Sequence, residues 1–230
     1  ANDTKQIPMS SHISRRRFLI VSTVAAAGTF AHAADPAPSR KLVVGVMGLR
    51  RGSALIKSIL EIPGVEIAYV ADVDQTAVAK GLELVARANG PGKPKGVQDF
   101  RRILDDRNVD ALFVAAPNFW HTPAAILACA AGKHVYVEKP GSHNARESQW
   151  IVAAARKHRR VVQMGSQRRS WPVIIEAMNK LHQGVIGRVL TARAWYSNSR
   201  PSIGRGKPVA VPAHLDYSLW QGPAPERPYL

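Results

Sequence analysis

The 230-residue sequence lacks the groups that mark several classes of protein. It has one cysteine, Cys129, so no disulfide can form within the chain, and the apolar stretch around it favours a buried thiol. It has no apolar run of the about 20 residues that a permanent membrane-spanning helix needs. Aromatic residues make up only 7%, without the stacking pattern of a nucleic-acid module. These absences favour an ordinary globular protein.

Acidic residues are scarce beside basic ones, 16 against 32, which gives a formal net charge of +16. Nucleic-acid binding is therefore one alternative, because Lys and Arg neutralise phosphates. The basic residues are, however, spread along the chain in pairs such as Arg101-Arg102, Arg159-Arg160 and Arg168-Arg169. We expect a solvated basic surface and no specific nucleic-acid partner.

Residues 1–33 have the features of an export signal. Three arginines, Arg15 to Arg17, precede an uncharged run from Phe18 to Ala31, and the small residues Ala31 and Ala33 suit a signal peptidase. This order resembles a twin-arginine signal, which predicts the twin-arginine translocase as a partner, a periplasmic location and a linker over residues 34–40. The alternative is an amphipathic first helix of the folded domain.

From Lys41 onward the sequence alternates short β-branched runs with helical segments. Such alternation predicts an α/β fold, here a Rossmann doubly wound parallel sheet over residues 41–165 with helices on both faces. The predicted strands cover residues 42–47, 65–71, 109–115, 134–137 and 161–164. The predicted helices cover residues 51–60, 76–88, 99–105, 122–131 and 145–158.

Residues 166–230 predict only the start of an α+β substrate domain. We expect a helix over residues 172–181, a turn from Gly184 to Gly187 and a strand over residues 189–196, followed by a stretch rich in Pro and Gly. One helix and one strand cannot bury much core, so this second domain is expected to be incomplete.

The candidate cofactor site begins where the first predicted strand meets the first helix, in Gly48-Leu49-Arg50-Arg51-Gly52. Glycines there let the backbone approach a pyrophosphate, and the helix N-terminus supplies free N–H donors. Arg50 stands where the usual fingerprint has its middle glycine, and Gly52 comes one residue early. A plain tight turn is therefore an equal alternative for this segment alone.

Asp72 ends the second predicted strand, 24 residues after Gly48, close to the roughly 20-residue separation at which an acid meets the adenosine ribose. A carboxylate there would accept ribose hydroxyls and repel a 2′-phosphate, which predicts NAD. NADP stays open, because Arg50 and Arg51 could pair with that phosphate. The alternative role for Asp72 is a helix N-cap.

Two later motifs carry a family resemblance. One is the turn Ala115-Ala116-Pro117-Asn118-Phe119-Trp120-His121, and the other is Gly132 to Pro140, which ends in Glu-Lys-Pro. With the segments 161–170 and 215–225, they resemble the Gfo/Idh/MocA family of glucose-fructose oxidoreductase and inositol dehydrogenase. The resemblance covers essentially residues 41–230. It implies an oxidoreductase that transfers a hydride between NAD(P) and a sugar, polyol or related carbohydrate.

The resemblance also implies roles for individual residues. Lys139 would be catalytic and would touch both cofactor and substrate, because an ammonium there can steady a developing alkoxide and help move a proton. The further cofactor-binding residues it implies are Pro117, Asn118, His121, Glu138 and Gln167, with no metal. The alternative is that Lys139 is a solvated strand-end lysine and His121 a helix cap.

Proteins of this family usually continue into a larger antiparallel sheet that carries a second catalytic group, often a histidine near an aspartate. No residue here matches that group. Three interpretations beside a plain dehydrogenase stay open: a fragment of a longer enzyme, an NAD-dependent glycosidase acting by transient oxidation, and a truncated cofactor-binding protein without catalysis. The sequence also leaves open the sugar and the oligomeric state, a homo-oligomer included.

Overall fold

The computed structural model describes residues 40–88 and 92–230, so the predicted signal and nearly all of the linker lie outside the described residues. Within them the strands are β1 Leu42–Met47, β2 Val65–Ala71, β3 Lys95–Val97, β4 Ala111–Val114, β5 His134–Val137 and β6 Val162–Met164. The helices are α1 Leu49–Leu60, α2 Gln75–Arg87, α3 Arg101–Asp105, α4 Asn118–Ala130, α5 Ala145–His158, α6 Pro172–His182 and α7 Tyr217–Gln221. None of these helices is long and apolar enough to cross a membrane.

The strands form one parallel sheet in the order β3-β2-β1-β4-β5-β6. The chain runs outward from β1 to β3, then returns to the centre at β4 and runs outward the other way. This is the doubly wound Rossmann topology, and it confirms the predicted fold class. The strand order reverses between β1 and β4, where open α/β sheets bind their ligands at the carboxyl ends of the strands.

Apolar side chains cover both faces of the sheet. Val44 and Val46 of β1 pack with Leu49 and Ile56 of α1 in a cluster that also takes in α2. A second cluster joins Met47 to residues of α3, α4 and α5. Successive side chains of a strand point to opposite faces, so the central strands need nearly continuous apolar sequence. That is why the short β-branched runs predicted these strands well.

Short polar side chains fix the start of two helices. Asp74 precedes α2 and its carboxylate accepts the backbone N–H of Thr76 at 2.8 Å. Asn144 precedes α5 and accepts the N–H of Glu147 at 3.0 Å. These caps satisfy donors that have no partner inside a helix, and they agree with the predicted starts of both helices to within one residue.

The structure differs from the predicted elements at several points of the sheet domain. β4 and β6 are shorter than expected, and β3 was not expected, because Lys95–Val97 is short and has a glycine at its centre. Helix α4 begins at Asn118, four residues before the expected start at Thr122. The extended backbone of Pro117 ends the preceding turn there, and the N–H of Trp120 already bonds to the Pro117 carbonyl at 2.8 Å.

Beyond β6 the predicted helix is confirmed as α6, but the predicted strand over residues 189–196 is wrong. Those residues are exposed and pair with no strand among the residues that the structure describes. Alternating sequence produces a strand only where a neighbouring strand supplies hydrogen bonds. The chain returns to the sheet later, where Leu215 forms an antiparallel bridge with Asp74.

Candidate functional site

A cavity of about 930 Å³ opens at the carboxyl ends of β1, β2 and β4. Its floor includes Gly48 after β1, Asp72 after β2 and Pro117 after β4. The cavity therefore lies at the point where the strand order reverses, and its volume falls in the range of small-molecule and cofactor sites, about 300–1,000 Å³.

The turn between β1 and α1, which lines the cavity, depends on Gly48. Its φ is 86° and its ψ is 93°, and a Cβ built on it would lie 2.6 Å from the Ala115 carbonyl and the Ala116 nitrogen. No other residue fits this conformation and this approach. Gly52 is buried one helical turn later, where a Cβ would lie 3.0 Å from Val46. The shortened glycine pattern thus retains a tight turn and close helix–strand packing, with Arg50 at the remaining position.

Asp72 joins the end of β2 to this turn. One carboxylate oxygen accepts the N–H of Leu49 at 2.7 Å and the other accepts the N–H of Asp74 at 3.0 Å. Asp74, and not Asp72, caps helix α2. An ionised carboxylate has about four acceptor positions, so Asp72, which also lines the cavity, keeps capacity for ribose hydroxyls.

Arg51 crosses from the glycine turn to the strand end after β5. Its Nε lies 3.1 Å and its Nη2 3.0 Å from Oε1 of Glu138, whose side chain is only 5% exposed. The other oxygen of Glu138 accepts the N–H of Lys139 at 3.3 Å. The Arg51 side chain lines the cavity and Glu138 lies outside the lining. Glu138, which the family resemblance implies as a cofactor-binding residue, is thus engaged in an ion pair with Arg51.

Lys139 follows Glu138 with an exposed side chain. Among the residues that the structure describes, its ammonium has neither an ion pair nor a hydrogen bond, and it does not line the cavity. An exposed, unpaired ammonium at the carboxyl edge of the sheet is compatible with contact to a substrate. It is equally the geometry of the solvated strand-end lysine.

His121 has a different position from the expected one. Its ring is 2% exposed, with Nδ1 2.5 Å from the Pro140 carbonyl oxygen and Nε2 2.8 Å from that of Ala116. Because α4 starts early, His121 lies one turn inside the helix and points at backbone. It braces the turns around residues 116 and 140 and does not line the cavity.

Two further predicted residues, Asn118 and Gln167, also lie away from the cavity. Asn118 is the exposed first residue of α4, and Gln167 is exposed in a short 3₁₀ turn with φ 53°. Neither is part of the cavity lining. The predicted residues that do line it are Gly48, Arg50, Arg51, Asp72 and Pro117; those that do not are Leu49, Gly52, Asn118, His121, Glu138, Lys139 and Gln167.

Sequence reasoning assigned no role to the C-terminal segment, His214–Tyr229, which contributes a large part of the lining. Its first residues add to the end of β2, with the N–H of Gln75 bonded to the His214 carbonyl at 2.9 Å and the N–H of Asp216 to the Val73 carbonyl at 2.9 Å. The family resemblance over residues 215–225 was the only sequence signal for this segment.

The charge on the β2 side of the cavity is negative. Burial opposes ionisation of Asp74, but hydrogen bonds from the backbone and hydroxyl of Thr76, with His214 4.0 Å away, hold the pKa of that carboxyl below its ordinary value. Asp74 therefore carries a charge beside Asp72 at neutral pH. The carboxylates on this side of the cavity therefore disfavour the binding of a further negatively charged group there.

The profile of the Gfo/Idh/MocA oxidoreductase family, described by its NAD-binding Rossmann fold, matches residues 40–166. The chain belongs to this family. Membership gives the cofactor class as NAD(P). The cavity lies at the strand reversal, which is where such folds bind dinucleotides.

Relatives within the Gfo/Idh/MocA family differ in their chemistry. A glycosyl hydrolase family 109 protein of Saccharopolyspora erythraea is 34% identical over 158 residues, 66% of this chain and 34% of that protein. A levoglucosan dehydrogenase of Pseudarthrobacter phenanthrenivorans is 32% identical over 105 residues, 46% of this chain and 27% of that protein. The chain thus spans about a third of the length of these curated relatives.

One similar solved structure is the WlbA dehydrogenase of Bordetella pertussis in complex with NADH and UDP-GlcNAcA. It is 25% identical with a TM-score of 0.56, and the match covers 66% of this chain and 43% of that one. The similarity supports the Rossmann architecture of the chain.

Proposed function

We propose that this chain is the cofactor-binding part of an oxidoreductase that acts on CH–OH groups of a sugar, polyol or related carbohydrate. The observation that carries the proposal is the cavity at the strand reversal, with Gly48 and Asp72 on its floor in a chain of this family. Gly48 lines the cavity without a side chain, so its backbone would be open to the close approach of a pyrophosphate. Asp72 retains acceptor capacity for ribose hydroxyls.

When bound, NAD supplies the acceptor or donor of the hydride. The residues of the chain would bind and orient the reactants. Asp72 would hold the adenosine ribose, and the turn from Gly48 to Arg51 would face the pyrophosphate. Lys139, with its exposed ammonium beyond β5, would hold the substrate hydroxyl and move its proton. The ion pair of Arg51 with Glu138 would keep the Lys139 backbone in place.

We propose that NAD is preferred over NADP, because Asp72 and Asp74 present two carboxylates where a 2′-phosphate would lie. The test is calorimetric titration of the chain with NAD and NADP, beside Asp72→Asn and Asp72→Ala. Each ribose hydrogen bond to a charged acceptor contributes about 1.5–3 kcal/mol, so Asp72→Ala should weaken NAD binding more than tenfold. Asp72→Asn keeps an acceptor but removes the charge, and should narrow the gap between NAD and NADP. Equal affinities for NAD in all three proteins would overturn the role of Asp72.

The carbohydrate substrate is supported by the relatives, a levoglucosan dehydrogenase among them. The hydrolase relative favours a second candidate function, an NAD-dependent glycosidase that oxidises a sugar transiently and reduces it again. Incubation with NAD and a panel of sugars and aryl glycosides separates the two. Reduced cofactor accumulates with a dehydrogenase, whereas an aglycone appears without net reduction with a glycosidase. Neither product, despite NAD binding, would indicate a cofactor-binding protein without catalysis.

We also propose that residues 1–33 direct export by the twin-arginine pathway, on the strength of the order of arginines, uncharged run and small residues. A reporter fused after Ala33 should reach the periplasm of a bacterial host, and Arg15→Lys with Arg16→Lys should retain it inside. Export that persists in the double variant, or in a host lacking the translocase, would contradict this route.

A further inference from the structure

The C-terminal segment lies outside residues 40–166, which the family profile matches, yet it forms one wall of the cavity. Its first anchor is the end of β2. Leu215 bridges Asp74, and the backbone bonds of Gln75 and Asp216 lie on either side of that bridge. The segment therefore starts directly beside Asp72, at the adenosine end of the predicted cofactor site.

Its second anchor is helix α4, on the other side of the cavity. The indole N–H of Trp120 donates to the Leu219 carbonyl at 3.0 Å, and the rings of Phe119 and Trp220 meet edge to face at 5.9 Å. Gln221 is buried and its side-chain oxygen accepts the N–H of Arg227 at 2.6 Å. The segment thus spans the cavity between two fixed points.

The wall it presents is aromatic and cationic. Tyr217 stacks on Trp220 with ring centres 5.6 Å apart and meets Tyr229 edge to face at 5.2 Å, and all three line the cavity. Arg227 lines the same wall with an exposed side chain, while Arg50 and Arg51 line the glycine-turn wall. Aromatic faces suit a flat base, and guanidinium groups suit the two charges of a diphosphate.

We propose that the C-terminal segment is the second wall of the cofactor site and binds the ADP-ribose part of the dinucleotide, with Arg227 at the diphosphate. This inference rests on the proposed NAD(P) binding and assigns to it residues beyond the Rossmann sheet. The cation belongs at the diphosphate because the bridge to Asp74 places the start of the segment at the ribose. Arg227 lies next to the second anchor, since its backbone N–H is bonded to the side chain of Gln221, which follows Trp220.

The test is Arg227→Gln in the full 230-residue chain, with calorimetric titration of NAD and of ADP-ribose. The Arg227 side chain is exposed and glutamine keeps the backbone N–H that Gln221 holds, so the fold should be retained. Loss of one charge-assisted hydrogen bond should weaken both ligands about tenfold. Arg205→Gln is the matched control, because Arg205 is exposed and does not line the cavity.

The outcomes separate the two proposals. If the unmodified chain binds neither ligand, the proposed function fails together with this inference. If it binds NAD and Arg227→Gln binds NAD equally well, only the inference is overturned. A loss for NAD without a loss for ADP-ribose would place Arg227 at the nicotinamide half and would also overturn it. Arg227→Lys should recover part of the affinity for both ligands, since an ammonium keeps the charge but not the paired N–H groups.

Discussion

Arg51 and Glu138 are 87 residues apart in sequence and share an ion pair beside the cavity. The guanidinium is half exposed and lines the cavity, whereas the carboxylate is buried. The pair joins the turn after β1 to the strand end after β5, so the predicted pyrophosphate turn and the Lys139 backbone are held in one arrangement.

Arg51→Met should lower the free energy of unfolding, because it leaves the buried carboxylate of Glu138 without its ion partner. We expect a loss of about 1–2 kcal/mol, limited by the solvent exposure of Arg51, measured by urea denaturation. Arg50→Met is the matched control, since Arg50 is exposed, lies next in sequence and has no ion pair among the described residues. Equal losses in both variants would show that the pair does not stabilise the fold.

Gly48→Ala should destabilise the chain and abolish NAD binding. An alanine at this position would have to adopt a positive φ, and its Cβ would lie 2.6 Å from the Ala115 backbone. Gly64→Ala separates these effects, because Gly64 has φ 79° with nothing within 4 Å of its Cβ position. Gly64→Ala should cost about 1–2 kcal/mol from backbone strain alone, and Gly48→Ala clearly more. Similar unfolding midpoints for the two variants would argue against the close approach.

His121→Phe should loosen two turns that are separate in sequence. It keeps a ring of similar size but removes the contacts to the carbonyls of Ala116 and Pro140, and a lost buried hydrogen bond costs about 1–3 kcal/mol. Amide hydrogen exchange should quicken around residues 116–118 and 139–142 together. His143→Phe, on the exposed surface, is the control. Unchanged exchange in either turn would contradict the bracing role.

Asp110 should contribute stability that is lost in acid. The Arg40 guanidinium donates two hydrogen bonds to it, at 2.9 and 2.6 Å, and with the Val43 N–H it holds the pKa of Asp110 below its ordinary value despite burial. A carboxyl with a lowered folded pKa stabilises the fold above its unfolded value, about 3.9. That contribution disappears as the pH falls through the folded value.

Asp110→Asn should therefore melt at a lower temperature than the unmodified chain at pH 7, and the difference should shrink at an acid pH below the unfolded pKa of about 3.9. Thermal unfolding at both pH values checks this. Asp105→Asn serves for comparison, because Asp105 is exposed and its partner Arg102 lies 4.0 Å away. A difference at Asp110 that stayed constant with pH would mean that its ionisation is not involved.

Sequence patterns were sufficient for most of the sheet, for a physical reason. Buried parallel strands require continuous apolar runs, and these gave β1, β2 and β5 at the bounds that the structure has. β3 was not predicted from the sequence, because its pairing with β2, and not its own composition, makes it a strand. The expected strand over residues 189–196 failed for the converse reason, since its sequence alternates but no partner strand faces it among the described residues.

The candidate site was predictable only where it depends on local spacing. Gly48 and Asp72 follow consecutive strands and could be located by counting residues. The ion pair of Arg51 depends on how close two distant turns come, which spacing does not encode. His121 lies inside helix α4, which starts four residues earlier than expected, and its ring contacts backbone carbonyls and does not line the cavity.

The position of the C-terminal segment in the sequence has a consequence for the order of assembly. The last strand of the sheet ends at Met164, and Tyr229 comes 65 residues later. At about 5–20 residues per second, a ribosome needs roughly 3–13 s to add that stretch. The glycine turn and Asp72 are complete on the nascent chain before the opposite wall exists, so the cofactor cavity closes only after the whole sheet has been synthesised.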